Sequence, residues 1–128
     1  MAKLLDTNVF VDYFRGQIHV KDYFKKQTEI VCSVVTAAEL IQGSRNKREQ
    51  NVNRRLLAKI KVLSITPAIS SKMLSLMETY ALSHGLEIPD ALIGATAIEE
   101  NLILVTANIK HFSFIKGLKL VGWKSENT

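Results

Sequence analysis

An apolar run, Lys3-Leu4-Leu5, reaches Asp6 and stops, and helical spacing begins at once with Val9, Phe10, Tyr13 and Phe14. Such a change of hydrophobic period marks a strand passing directly into a helix. The alternation recurs down the chain. Strands are predicted at 3–6, 29–34, 61–65, 102–105 and 119–121. Helices are predicted at 8–15, 18–27, from Thr36 to Gln42, at 49–59, from Pro67 to Ser83 with Gly85 as its stop, and from Pro89 to Ile98. A brief helical turn falls near 108–114, and the polar tail from Lys124 reads as frayed. Strands alternating with helices define an α/β chain with a parallel sheet of about five strands, covered on both faces.

In such a sheet, ligands bind in the crevice outside the carboxyl ends of the strands. A helix following a strand starts at that edge, and so does a helix feeding the next strand. The topology therefore collects Asp6 after strand one, Glu39 after strand two, Asp90 in the first turn of the helix before strand four, and Thr106 and Asn108 after strand four. Each has a purely structural reading. Asp6 and Asn108 suit helix N-caps. Thr36-Ala37-Ala38-Glu39 matches a capping box, and Asp90 complements a helix dipole by about 0.3–1 kcal/mol. Three carboxylates in one crevice, however, repel by roughly 3 kcal/mol per pair at ~5 Å and an effective dielectric of ~20. Capping does not comfortably offset that, whereas a divalent cation does. Mg2+ takes carboxylate oxygens and keeps waters and substrate phosphates as its other ligands.

Charge is unevenly spread. The net charge is +5, yet residues 45–61 carry seven basic side chains against the single acid Glu49, leaving the remainder at −1. Within it, Arg45, Lys47, Arg48, Arg54 and Arg55 form a basic stretch suited either to phosphate backbones or to plain solvation. The 128 residues fit a single domain, 1–128. No apolar run approaches the ~18–20 residues that span a bilayer, and the N-terminus reads without a basic-then-apolar leader. The lone Cys32 builds no disulfide framework and reads as a buried small hydrophobe, which fits a reducing cytoplasm.

Asp6-Thr7-Asn8, Glu39 in an apolar helix, Pro89-Asp90-Ala91-Leu92-Ile93 and Thr106-Ala107-Asn108-Ile109-Lys110-His111-Phe112 occur in that order. The ordered set resembles the PIN-domain family, and within it the VapC-type ribonuclease toxins of toxin–antitoxin pairs, over nearly the whole chain. The resemblance implies a PIN-like three-layer α/β/α fold and metal-dependent endonucleolytic cleavage of RNA. Asp6, Glu39 and Asp90 match the family's acidic positions and would hold Mg2+, or Mn2+. Asn108 falls where many members carry a fourth acid, and the amide removes one charge there. Thr7, Asn8 and Thr106 match small polar positions that orient the acids, while His111 reads as a surface or supporting residue. The resemblance further implies a VapB-like antitoxin partner and homodimers. Phe10, Tyr13, Phe14, Tyr23 and Phe24 are either core or a partner groove on the first two helices. Rival readings are a catalytically idle RNA-binding module and a phosphatase-like phosphoryl-transfer domain. The latter wants a second Asp two residues after the first, where this chain has Asn8.

Overall fold

A computed structural model describes residues 1–127. Five short parallel strands carry the architecture: β1 (Lys3–Leu5), β2 (Val31–Ser33), β3 (Lys61–Leu63), β4 (Ile103–Thr106) and β5 (Leu120–Gly122). They form two hydrogen-bonded ladders rather than one continuous sheet. One has the order β1-β4-β5, with Leu4 opposite Leu104 and Val105 opposite Val121. The other pairs β2 with β3, Cys32 opposite Val62. β2 lies alongside β1.

Neighbouring residues of a strand point to opposite faces. Leu4, Val31 and Leu104 accordingly enter one core with Ile69, Ile93 and Phe112, while Leu5, Cys32 and Val105 enter a second with Val9, Phe10 and Trp123. Two cores on two sides of the strands are what a helix–sheet–helix sandwich requires. The first core is closed by α5 (Pro67–His84) and α6 (Ile88–Glu99), the second by α1 (Thr7–Phe14), α2 (Ile18–Lys26) and α7 (Trp123–Glu126). The helices α3 (Val34–Gln42) and α4 (Lys47–Leu57) follow β2. Gly85 ends α5 in the left-handed region at φ 67°, a conformation open to glycine without a side-chain clash.

Two local expectations change. Helix α3 begins earlier than predicted, because the hydroxyl of Ser33, not of Thr36, accepts the capping bond from the Val35 amide. Thr36 is buried inside the helix and Glu39 lies in its second turn. The tail from Lys124 is not frayed as far as Asn127. It forms α7, where Trp123 Nε1 donates to Asp12 (2.8 Å), the Tyr23 hydroxyl donates to Glu126 (2.7 Å), and Lys3 ion-pairs with Glu126. Thr128 lies outside the described residues. No described helix is long and apolar enough to cross a membrane. Of the five aromatic residues on α1 and α2, Phe10, Tyr23 and Phe24 are buried in the core, whereas Phe14 is 39% exposed.

Candidate active site

Asp6 caps the amino end of α1 and faces the carboxyl end of the sheet at once. Its amide donates to the Val105 carbonyl (2.9 Å), which fixes the backbone against β4. Its carboxylate accepts from the Thr7 amide at Oδ1 (2.8 Å) and from the Thr106 hydroxyl at Oδ2 (2.6 Å). The capping reading is therefore correct, and it coexists with a place in the crevice. Burial pushes the Asp6 carboxyl above its ordinary range; the bonds from Thr106 and Thr7 and the nearby His111 pull it back only in part.

Glu39 reaches the same place from α3. Its Oε1 accepts from the Thr7 hydroxyl (2.7 Å), and Thr7 Oγ1 lies 3.1 Å from Thr36 Oγ1. A hydroxyl has one proton, so Thr7 donates to Glu39 while accepting from Thr36. The capping-box reading of Glu39 is thereby replaced by a tie to α1. Asp90 arrives from the first turn of α6, which Pro89 pre-orders. His111 Nδ1 sits 3.2 Å from its Oδ2. Asp90 is also raised, first by burial, then by the charge of Asp6, with Glu39 adding to the effect and His111 opposing it. Asp90 thus stands within electrostatic reach of both other acids.

The loop after β4 is pinned to this edge. The Ala107 amide donates to Asn8 Oδ1 (3.2 Å) and the Asn108 amide to Thr106 Oγ1 (3.0 Å). The Asn108 side chain is exposed and makes no capping bond to the following 3-10 turn. Its position at the edge is as predicted; its carboxamide has no hydrogen-bond partner among the described residues.

The oxygen-only donor set suits a hard divalent cation. Among the described residues, no three His, Cys, Asp or Glu side chains already stand close enough to share one ion. Mg2+ does not need them to, since it commonly binds through one or two carboxylates with waters and substrate phosphate completing the sphere. A buried carboxylate whose proton is held too tightly is also a group that an added cation relieves.

The basic stretch is divided, with Arg45 and Arg48 lining one groove and Arg54 another. Arg45 is committed to Glu49, with its Nε and Nη2 both donating to Oε2 (2.9 and 2.6 Å). Lys47 donates to Gln50 (2.8 Å). Arg48 lines a groove of about 600 Å3 that runs from Thr7 and Glu39 past Val11, Phe14 and Val52. Arg54 lines a separate recess with Ile41 and Leu57, and Arg55 is exposed. His111, beside Asp90, and Thr36, beneath Thr7, are the supporting residues that spacing alone undervalued. A three-residue interval from Thr36 to Glu39 was visible, but it pointed to the wrong bond.

Parallel strands with helices over two cores, and carboxylates gathered toward the strand ends, define a small layered α/β domain. The chain belongs to the PIN domain family, whose model matches residues 3–116. Curated relatives include Ribonuclease VapC10 of Mycobacterium tuberculosis, 35% identical over 120 residues covering 91% of this chain and 90% of that protein. Ribonuclease VapC1 of Methanocaldococcus jannaschii is 33% identical, covering 91% and 85%. Among solved structures, VapBC2 from Rickettsia felis bound to a DNA fragment from its promoter superposes with a TM-score of 0.80 at 28% identity, covering 96% of this chain and 99% of that one. The resemblance to VapC-type ribonucleases drawn from the ordered motifs is borne out.

Proposed function

We propose that this chain is a Mg2+-dependent endoribonuclease, with Mn2+ able to serve, that hydrolyses RNA phosphodiester bonds and is neutralised by a VapB-like antitoxin. The observation that carries this reading is the arrival at one sheet edge of Asp6, held by the Thr106 hydroxyl, and Glu39, held by the Thr7 hydroxyl, with Asp90 close enough to feel the charge of both. It is supported by relatives named ribonucleases over nine-tenths of the chain.

The residues divide the work. Thr7 and Thr106 orient Glu39 and Asp6 so that each presents a defined oxygen lone pair to the crevice. Asp90 faces them, steadied by His111. When bound, the cation supplies a water of lowered pKa and offsets charge developing on the phosphate. Glu39 Oε2, the oxygen not engaged by Thr7, is the position from which a proton of the attacking water is taken. In-line attack leaves a 5′-phosphate and a 3′-hydroxyl. Arg48, which lines the same groove as Glu39, offers the strand a phosphate contact, so binding weakens with salt.

The groove along α1, α3 and α4 suits the antitoxin. Its walls combine half-exposed Val11, Phe14 and Val52 with charged Arg15, Arg48 and Glu39, a surface for an amphipathic segment. The same reading expects a homodimer, measured by light scattering.

Incubating total RNA with the purified chain, with Mg2+ and then with excess chelator, tests the activity. Cleavage that depends on Mg2+ and vanishes in Asp6→Asn supports the proposal. RNA binding without cleavage in Mg2+ or Mn2+ would instead identify the idle binding module.

A further inference from the structure

On the Asp90 side of the crevice lies a second recess, about 200 Å3, bounded by His84, Glu87, Asp90, Lys110, His111 and Phe114. Nothing in the proposed chemistry uses its aromatic wall. The His84 ring stacks on Phe114 at 4.3 Å between centroids and 13° between planes. Tyr80 meets His84 edge-on at 5.7 Å, and His84 Nδ1 lies 2.7 Å from Ser83 Oγ. Tyr80 is itself anchored, its hydroxyl accepting from the Lys116 amide (3.1 Å). An exposed imidazole is thus immobilised by three neighbours. A platform already fixed in place loses little freedom when a ligand lands on it.

We propose that this recess seats one unpaired nucleobase of the RNA strand beside the bond being cut, stacked against the His84–Phe114 pair. The inference rests on the ribonuclease reading and adds the substrate's conformation. Charge decides against a simple anion. The recess offers the ammonium of Lys110 against the carboxylates of Glu87 and Asp90, so a free phosphate meets more repulsion than attraction. A flat, neutral base does not. Its π-face suits an aromatic platform whatever the sequence. A base within a helix is stacked on both sides and has no face to give, so the strand must be single-stranded at this point. Asp90 is shared by the recess and the carboxylate crevice, so the seated nucleotide lies next to the reacting phosphate.

The test uses an unstructured oligoribonucleotide carrying 2-aminopurine near its cleavage point. His84→Ala is expected to raise KM roughly 5- to 100-fold with little change in kcat, the range that loss of one stacked base produces. His84→Phe, which keeps a ring at the position, is expected to stay near the wild-type KM. Stacking is read separately, without turnover, in an Asp6→Asn background with Mg2+ present. There 2-aminopurine fluorescence is quenched on binding, the quench is lost on adding His84→Ala, and it is kept with His84→Phe. A wild-type KM in a folded His84→Ala protein, or a His84→Phe variant as impaired as His84→Ala, overturns the proposal. Failure of the wild-type chain to cleave any RNA defeats the ribonuclease reading instead, while the fluorescence arm still reports on the recess.

Discussion

Thr106 Oγ1 lies 2.6 Å from Asp6 Oδ2, in a buried hydrogen bond between residues 100 positions apart. The same hydroxyl accepts from the Asn108 amide, so it donates to the carboxylate with its only proton. Strand β4 thereby fixes the orientation of the acid that ends strand β1.

Replacing Thr106 with Val keeps the shape and removes both bonds. Stability is expected to fall by about 1–3 kcal/mol, the usual cost of leaving buried polar groups unpaired. RNA cleavage is expected to fall about 10- to 100-fold, as for residues that orient metal-binding side chains. Urea unfolding and initial cleavage rates measure the two effects separately.

Asp6→Asn should part activity from stability. The amide retains an acceptor for the Thr7 amide but loses the buried charge. Cleavage is expected to disappear while the melting temperature near neutral pH holds or rises. A variant that melts well below wild type would mean that the Thr106 bond, not the charge, dominates at this position.

The pH dependence has a definite sign. Asp6 and Asp90 both bind their protons more tightly in the folded chain, chiefly because of burial and, at Asp90, also because of the Asp6 charge. Their contribution to stability is fully present below the ordinary carboxylate range and is lost as pH rises through the elevated folded values. Without divalent cations, these two groups therefore make the protein less stable at about pH 7 than at about pH 5. Mg2+ should raise the melting temperature more at the higher pH, where both acids are ionised. Equal shifts at the two pH values would contradict this account. Calorimetry in matched ionic strength measures it.

Tyr23→Phe removes the hydroxyl that holds Glu126 and leaves the ring packed on Trp123, 5.0 Å between centroids. The expected loss is about 1–2 kcal/mol, with cleavage intact, since the contact is remote from the acids. Trp123 is the single tryptophan and is 3% exposed, so its fluorescence reports the change directly.

Much of this was readable from the residues. Apolar runs at Leu4-Leu5, Val31-Cys32 and Leu104-Val105 supply side chains to two faces, and strands buried on both sides need no more signal than that. Asp6 and Asp90 fall at element boundaries marked by a change of period and by Pro89. The start of α3 was not legible. Ser33 and Thr36 are both good caps, and the choice between them is made where β2 stops pairing with β3, at Ser33 opposite Leu63. Nor was α7 legible, because Lys124, Ser125 and Glu126 look like solvated tail until Lys3 and Tyr23 are brought to them from the other end of the chain. His84 gave no hint of its nearness to Asp90, since Gly85 reverses the chain between them.

The pairing of β1 with β4 also sets a schedule for synthesis. A ribosome releases Asp6 early, Glu39 soon after and Asp90 much later, yet Asp6 lacks its Thr106 partner and Asp90 its His111 partner until the last quarter of the chain emerges. The half-made chain thus carries the acids of a nuclease without the edge that aligns them. The proposed nuclease is therefore completed only near the end of its own translation, whatever the order in which its acids are made.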